Sequence, residues 1–480
     1  MSQPSSSSSS VSDQTHPHSL LEKILNIFAK VHAREGPTSL LLLTNIFLIL
    51  VAYYFIKPVR EGWLSVSVIS NLSKLEVKAY SAFGQSFLLL AILPLYSFVS
   101  AHVSRRKLIT GTGAVSAVCL LIFWLCQPGL LVEQIPFAGV MFYIFVGVFS
   151  VTLIAQFWSF AADIYGEERG KRLFPLIAVG ASSGAMVGSW LGEYLMKFSW
   201  ISAFDLILVS LIPLGLAIAL ANWTDKRGTR GHPSDLTVAR WNEAAAPNGE
   251  GALRLIFKHQ YLTITAVTIM LFNWVVASGD NILFGLVQQA FETTLPEEAG
   301  TDAYRQALKE ATTAFYSSLY FWINLIGLIL QAFIVSRLIQ FGGFSLLIIT
   351  TPIISLATYL TMAIAPVLGI IKMMKIAENS SNYSINNTAR HMIWLPTTKE
   401  MMYQAKATVD TLFVRMGDGL AALTVLLGTR YWSFSLNTFL IINLVLSFVW
   451  VLLALYLTRE YKRWSHAKEK QAPTEPQPSL

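Results

Sequence analysis

The sequence predicts an all-α membrane protein: about twelve transmembrane helices arranged as two six-helix halves. Three observations carry that prediction. Of the 480 residues, 54% are hydrophobic and only 13% charged, with a mean hydropathy of +0.53; soluble domains carry about 25% charged residues. Apolar runs of about 20 residues, the length that crosses a ~30 Å hydrocarbon core, recur along nearly the whole chain. One polar stretch rich in Gly, Pro and charge, Trp223 to His259, interrupts them near the middle.

Met1 to His18 is Ser-rich and polar and reads as a tail without packed structure. Leu20, Leu21, Ile24, Leu25, Phe28 and Val31 recur at helical spacing beside Lys23, Lys30 and Arg34. This pattern fits a helix lying in the membrane interface or packed on the bundle. The first half then has spans near Thr38–Ile56, Ala79–Ser100, Leu108–Cys126, Phe137–Ala161, Leu173–Met196 and Ala203–Asn222. The second half has Tyr261–Leu283, Phe315–Leu338, Ser345–Ala363, Pro366–Asn387, Val409–Gly428 and Leu436–Leu457. The expected organisation is thus a tail and interfacial helix over 1–36, a six-helix half over 37–222 and a linker over 223–258. A second six-helix half over 259–458 and a polar tail over 459–480 complete it.

Connections after even-numbered spans carry basic residues: Arg105, Arg106 and Lys107; Arg169, Lys171 and Arg172; Lys226, Arg227, Arg230, Arg240 and Arg254; Lys399 and Lys406. The positive-inside rule places these loops and both termini in the cytoplasm. The net charge of +7 is spread among the spans in this way and forms no nucleic-acid-binding block. Cys119 and Cys126 stand seven residues apart in one apolar run. That spacing is about 10 Å along a helix, too far for a disulfide, so they read as small apolar fillers. The two halves are weakly alike: PLYSFVSAHVSRRKL after the second span is answered by LQAFIVSRLIQFGGF after the eighth. Six plus six spans around one linker resembles the major-facilitator architecture, in which the solute site lies between the halves near the midplane.

Charged and amide side chains inside spans are costly against lipid and point to a cavity, a partner or the interface. At ~100° per residue, Lys57, Arg60 and Glu61 share a helix face at the end of the first span. They read as a cationic anchor for an anion, with Glu61 pairing one of the bases, or as snorkelling side chains at a span end. In the tenth span Lys372, Lys375, Asn379, Asn382, Asn386 and Arg390 fall within an arc of about 80° if the segment is one α-helix. That stripe, about 27 Å long, fits the wall of a water-filled path or else a cytoplasmic amphipathic helix. Lysine meets phosphate as a point charge, arginine binds it bidentately, and asparagine reads sugar or base. Glu378 flanks the stripe, and Asp280 is a lone acid on the seventh span; both are candidates for proton coupling or countercharge. Asn273 shares a face with Asp280, and Tyr320, Asn324 and Gln331 share one on the eighth span; these read as helix-packing contacts. Gly180, Gly184, Gly188 and Gly192 form a ladder on the fifth span that predicts close helix contact. No Walker loop, HExxH or nucleophile motif is present, so no enzyme chemistry and no cofactor or metal site is expected.

Two stretches resemble the ATP/ADP antiporter family of obligate intracellular bacteria and plastids. FWSFAADIYGEERGKRLFPLIAVGAS, Phe157 to Ser182, is similar to the family's FW-x-F-A, charged turn and Gly-rich helix. In Tyr383 to Asp418, the residues Tyr383, Ser384, Pro396, Lys406, Ala407, Asp410, Arg415 and Gly417 fall in the family's register. Lys57, Arg60 and Glu61 resemble its basic-x-x-basic-acidic run. Asn382 and Asp418 stand where the family has lysines, Asn387 and His391 where it has acids, and Ala162 where it has asparagine. The resemblance therefore implies a divergent relative that exchanges charged nucleotides, ATP and ADP, by alternating access, with basic residues holding phosphates. It also implies a bacterial inner (cell) membrane and a monomer whose partners are the anionic solute and the bilayer. A proton-coupled carrier of a different organic solute or drug, using Glu61, Asp280 and Glu378, is the alternative.

Overall fold

The computed structural model describes residues 35–69, 71–130, 135, 137–228, 251–296, 298 and 300–471. The expected interfacial helix before Glu35, most of the linker and the last nine residues of the tail lie outside the described residues. Twelve crossings make up the fold. The first half contains α1 (Gly36–Val66), α2 (Lys74–His102), α3 (Arg105–Leu125), α4 (Ala138–Tyr165), α5 (Arg172–Leu195) and α6 (Asp205–Gly228). A short helix, Ala252–Lys258, leads into α7 (Gln260–Thr294) and α8 (Asp302–Ile329). A π turn, Leu330–Ile334, carries α8 into Val335–Ile364, which breaks at Gly343 (φ 58°, ψ −150°). The part beyond that break is α9. That backbone conformation is open almost only to glycine, so the reversal is written into one residue.

The tenth crossing is not a single α-helix. α10 (Leu368–Ser381) passes through a π turn, Asn382–Asn386, into Asn387–Met392. The eleventh likewise joins Lys399–Thr408 through a π turn, Val409–Phe413, to α11 (Val414–Arg430). A π turn adds a residue and rotates everything after it, and such turns concentrate at functional sites. The last helix, α12 (Leu436–Gln471), continues well past the predicted end of its span at Leu457. Beyond Leu457 it still packs on the second half, with Tyr461 stacked on Phe344 at 3.9 Å and Trp464 on Tyr261 at 5.3 Å.

The chain reverses between α4 and α5: Gly139 at the start of α4 lies by Trp63, whereas Gly180 to Gly188 of α5 run from Leu43 toward Val51. Tyr165 shares a 2.8 Å hydrogen bond with Ser39, and Arg172 makes a bidentate pair with Glu35 at 2.8 Å. Both ends of the turn thus meet the start of α1. From there α5 climbs parallel to α1 on the predicted glycine ladder. A Cβ at Gly180, Gly184 or Gly188 would lie 2.5, 2.4 or 2.9 Å from backbone atoms of Leu43, Phe47 or Val51. Gly192, the fourth rung, has ordinary clearance. Without a hydrophobic drive between helices in lipid, such backbone approach is the main source of packing energy. α2 starts in a capping box: the Ser73 hydroxyl accepts from Glu76 N–H at 3.3 Å, and the Ser73 N–H donates to the Glu76 carboxylate at 2.8 Å.

The halves meet at the end of the bundle that carries Asn71. There a Cβ on Gly62 of α1 would strike Thr313 Oγ1 of α8, and Arg430 of α11 pairs with Glu76 of α2 at 2.9 Å. Arg430 also donates to the Asn71 carbonyl at 2.6 Å. At the Glu35 end, Arg172–Glu35, Tyr165–Ser39 and Arg390–Asp410 join helices of the same half.

Candidate functional site between the halves

Lys57 lies on α1 one residue before Pro58, a break in the helical donor pattern that membrane helices tolerate. Its side chain is not snorkelling, since the residue is only 7% exposed. The ammonium sits over three tyrosine rings: Tyr320 of α8 at 3.9 Å, Tyr54 at 4.9 Å and Tyr53 at 5.6 Å. Among the described residues no carboxylate lies within ion-pair distance of it. Three cation–π contacts supply about 0.5–2 kcal/mol each, while removing an ion from water costs several kcal/mol. The aromatic cage therefore roughly balances the burial cost and leaves the positive charge unneutralised.

One turn on, Glu61 is fully buried between two bases. Its Oε1 accepts from Arg60 Nε at 3.1 Å and its Oε2 from Lys78 Nζ at 2.5 Å. The Tyr143 ring of α4 lies 4.5 Å from the Arg60 guanidinium and 4.4 Å from the Lys78 ammonium. Lys78 is a site residue that sequence reasoning passed over, because it directly precedes the predicted second span and reads as a flanking charge. Its signal was its place at i+3 from Leu75, on the apolar face that Leu75 and Ala79 share. This corner of the first half holds three cations against one carboxylate.

The facing wall carries the opposite balance. Lys375 of α10 has no exposed surface and is held by Glu378 at 2.5 Å and by Asp280 of α7 at 3.6 Å. Glu378, equally buried, also accepts from Ser355 at 2.7 Å and Tyr359 at 2.8 Å, both on α9. The two acids singled out in the sequence thus converge on one lysine that the sequence had assigned to the solute.

The rest of the tenth-span stripe disperses. Lys372 donates to Ser318 of α8 at 2.8 Å and lies over Phe315 at 5.5 Å. Asn379, Asn382 and Asn386 are buried, and both amide atoms of Asn382 lack hydrogen-bond partners. Beyond the π turn, Arg390 pairs with Asp410 at 3.0 Å, and Lys406 approaches the same carboxylate at 3.7 Å. In the middle of the seam, Arg415 Nη1 donates to Asp418 at 2.9 Å and to Ser86 of α2 at 3.1 Å, while Ser86 donates to Asp418 at 2.7 Å. Of the eighth-span polar face expected to pack helices, Tyr320 and Asn324 do so between the halves, with Tyr54 donating to Asn324 at 3.3 Å, whereas Gln331 is exposed in the π turn. Asn273 turns back to its own helix, donating to the Ile269 carbonyl at 2.7 Å.

Twelve helices in two groups, with paired charges buried where the groups meet, define a multi-pass integral membrane carrier for a small solute. The chain belongs to the Major Facilitator Superfamily, whose family model matches residues 36–390. It is accordingly a secondary transporter and not an enzyme. Over 313 residues it is 19% identical to ADP,ATP carrier protein 1 of Chlamydia pneumoniae, a match covering 57% of this chain and 57% of that one. The chain thus spans little more than half the length of that curated relative. Among solved structures, the nucleoside transporter NupG in a point-mutant form matches with a TM-score of 0.57 at 15% identity, covering 88% of this chain and 99% of that one. A bacterial homologue of the human lysosomal transporter Spinster matches at 0.55 and 13% identity, covering 90% and 98%. These two likenesses concern the fold.

Proposed function

We propose that this transporter moves an anionic organic solute, with a nucleotide of the ATP/ADP kind the first candidate, by exchange between the two halves. The observation that carries the reading is Lys57, a buried cation caged by tyrosines with no carboxylate at ion-pair distance among the described residues. Arg60 and Lys78, with Glu61 neutralising one of them, extend the positive field. A phosphate or carboxylate arriving there completes charge-assisted hydrogen bonds in a low-dielectric setting, where they are strongest. Asn379 and Asn386 remain candidates for reading the rest of the solute, as do Lys372 and Arg390 for a distal charge. The chlamydial similarity favours a nucleotide among anions. The seam closed at the Asn71 end supports alternating access, with solute exchange in this reading assigned to the opposite, Glu35 end. By the positive-inside rule that end faces the cytoplasm of a bacterial cell, with both termini on the same side.

The test is uptake of labelled ATP and ADP by cells expressing the protein, with and without unlabelled counter-substrate. Saturable uptake accelerated by counter-substrate and abolished by Lys57→Gln is the expected result. Cells with verified membrane insertion that show no saturable uptake and no exchange would refute the nucleotide reading.

A further inference from the structure

The two walls of the site carry opposite charge balances. On the first, Lys57, Arg60 and Lys78 outnumber Glu61; on the second, Asp280 and Glu378 outnumber Lys375. The second wall's two acids are not equivalent. Glu378 has no exposed surface and is saturated by Lys375, Ser355 and Tyr359. Asp280 keeps 51% of its side chain exposed, and its one ion-pair partner among the described residues, Lys375, stands at 3.6 Å. That separation is longer than a good hydrogen bond, and Glu378 already holds the same ammonium at 2.5 Å. A carboxylate accepts at about four lone-pair positions, so most of the acceptor capacity of Asp280 is taken by no protein donor among the described residues and is open to solvent or a solute. Phe284, one turn further along α7, lies with its ring 5.5 Å from the Lys78 ammonium, so this side of α7 is turned toward the cationic corner of the first half. A plain polyanion would be attracted by one wall and repelled by this carboxylate; a solute with an N–H donor at its far end satisfies both.

We infer that Asp280 is a specificity-determining residue that accepts a hydrogen bond from an amino group of the solute, so that the carrier selects amino-bearing anions over plain ones. This rests on the anion reading of the Lys57 corner. Among nucleotides it selects bases with an exocyclic amino group. Two further cations of this half are engaged elsewhere and do not occupy Asp280: Lys372 is turned to Ser318, and Arg415 is paired with Asp418.

The experiment measures equilibrium binding to the purified full-length protein with two matched pairs of probes. One pair is ATP and purine riboside triphosphate, which lacks only the amino group; the other is phosphoethanolamine and ethyl phosphate. A hydrogen bond to a charged group corresponds to at least about tenfold in affinity. The wild type should therefore prefer the amino-bearing member of a pair by about tenfold or more. In Asp280→Ala that ratio should fall to within about twofold of unity, and Asp280→Asn, whose amide oxygen still accepts, should retain part of it. Preference in the phosphoethanolamine pair with no binding of either triphosphate removes the nucleotide reading and supports the role of Asp280. No amino-dependent difference in either pair, through equal binding or none, overturns the role of Asp280. An undiminished ratio in Asp280→Ala overturns it as well.

Discussion

Replacing Lys57 with methionine separates a binding cation from a structural one. In the ligand-free protein the substitution removes a desolvation cost of several kcal/mol together with three cation–π contacts worth about 0.5–2 kcal/mol each. These nearly cancel, so the empty variant should melt within a few degrees of the wild type. An anion, in contrast, loses a charge-assisted contact worth about 1.5–3 kcal/mol, or roughly 10- to 150-fold in affinity. Glu61→Gln makes the contrast. It leaves Arg60 and Lys78 buried with a neutral amide between them, and breaking a buried pair costs about 3–5 kcal/mol. The assay is thermal unfolding of purified protein in detergent, with labelled-ATP binding measured on the same samples. A Lys57→Met variant that unfolds as early as Glu61→Gln, or that binds ATP within threefold of wild type, would refute the assignment of Lys57 as the anion anchor.

Three further outcomes are expected. Gly184→Leu should abolish accumulation of folded protein, because its Cβ would lie 2.4 Å from the Phe47 carbonyl and backbone cannot yield as a side chain can; a monodisperse elution profile would contradict this. Gly343→Ala should destabilise by about 1–3 kcal/mol, the cost of holding a Cβ at φ 58°, seen as a lower melting temperature with transport specificity unchanged. Arg430→Gln should loosen the seam at the Asn71 end, since it breaks the pair with Glu76 while the Ser73–Glu76 capping box remains. Its readout is faster labelling, by an impermeant maleimide from that side of the membrane, of a cysteine placed at Tyr143.

Much of this architecture was legible in the sequence because it is local. Hydropathy over about 20 residues sets the spans, and helical periodicity puts Lys57, Arg60 and Glu61 on one face and Gly180, Gly184 and Gly188 on another. The same reasoning stops where periodicity stops. A stripe from Lys372 to Arg390 requires a single α-helix, and the π turn at Asn382–Asn386 rotates the residues after it, sending Arg390 to Asp410. Nothing in the residues 382–386 alone distinguishes a π turn from an α turn, since the difference is set by packing against α8 and α9.

The sequence by itself determined that this is a carrier-like bundle of twelve helices with charge placed inside the membrane. Desolvation is so costly in lipid that intramembrane charge betrays a site wherever it occurs. Which of those charges is neutralised by a neighbouring carboxylate was decided by the tertiary structure alone. Lys57 and Lys375 are indistinguishable as sequence, each a lysine within a predicted span or at its end. One is surrounded by tyrosine rings brought from α1 and α8, and the other is neutralised by an acid 95 residues away on α7 and another one turn along α10. An ion's free energy in a low-dielectric interior depends on its nearest partners in space, and for these two lysines the deciding partners were assembled only by folding.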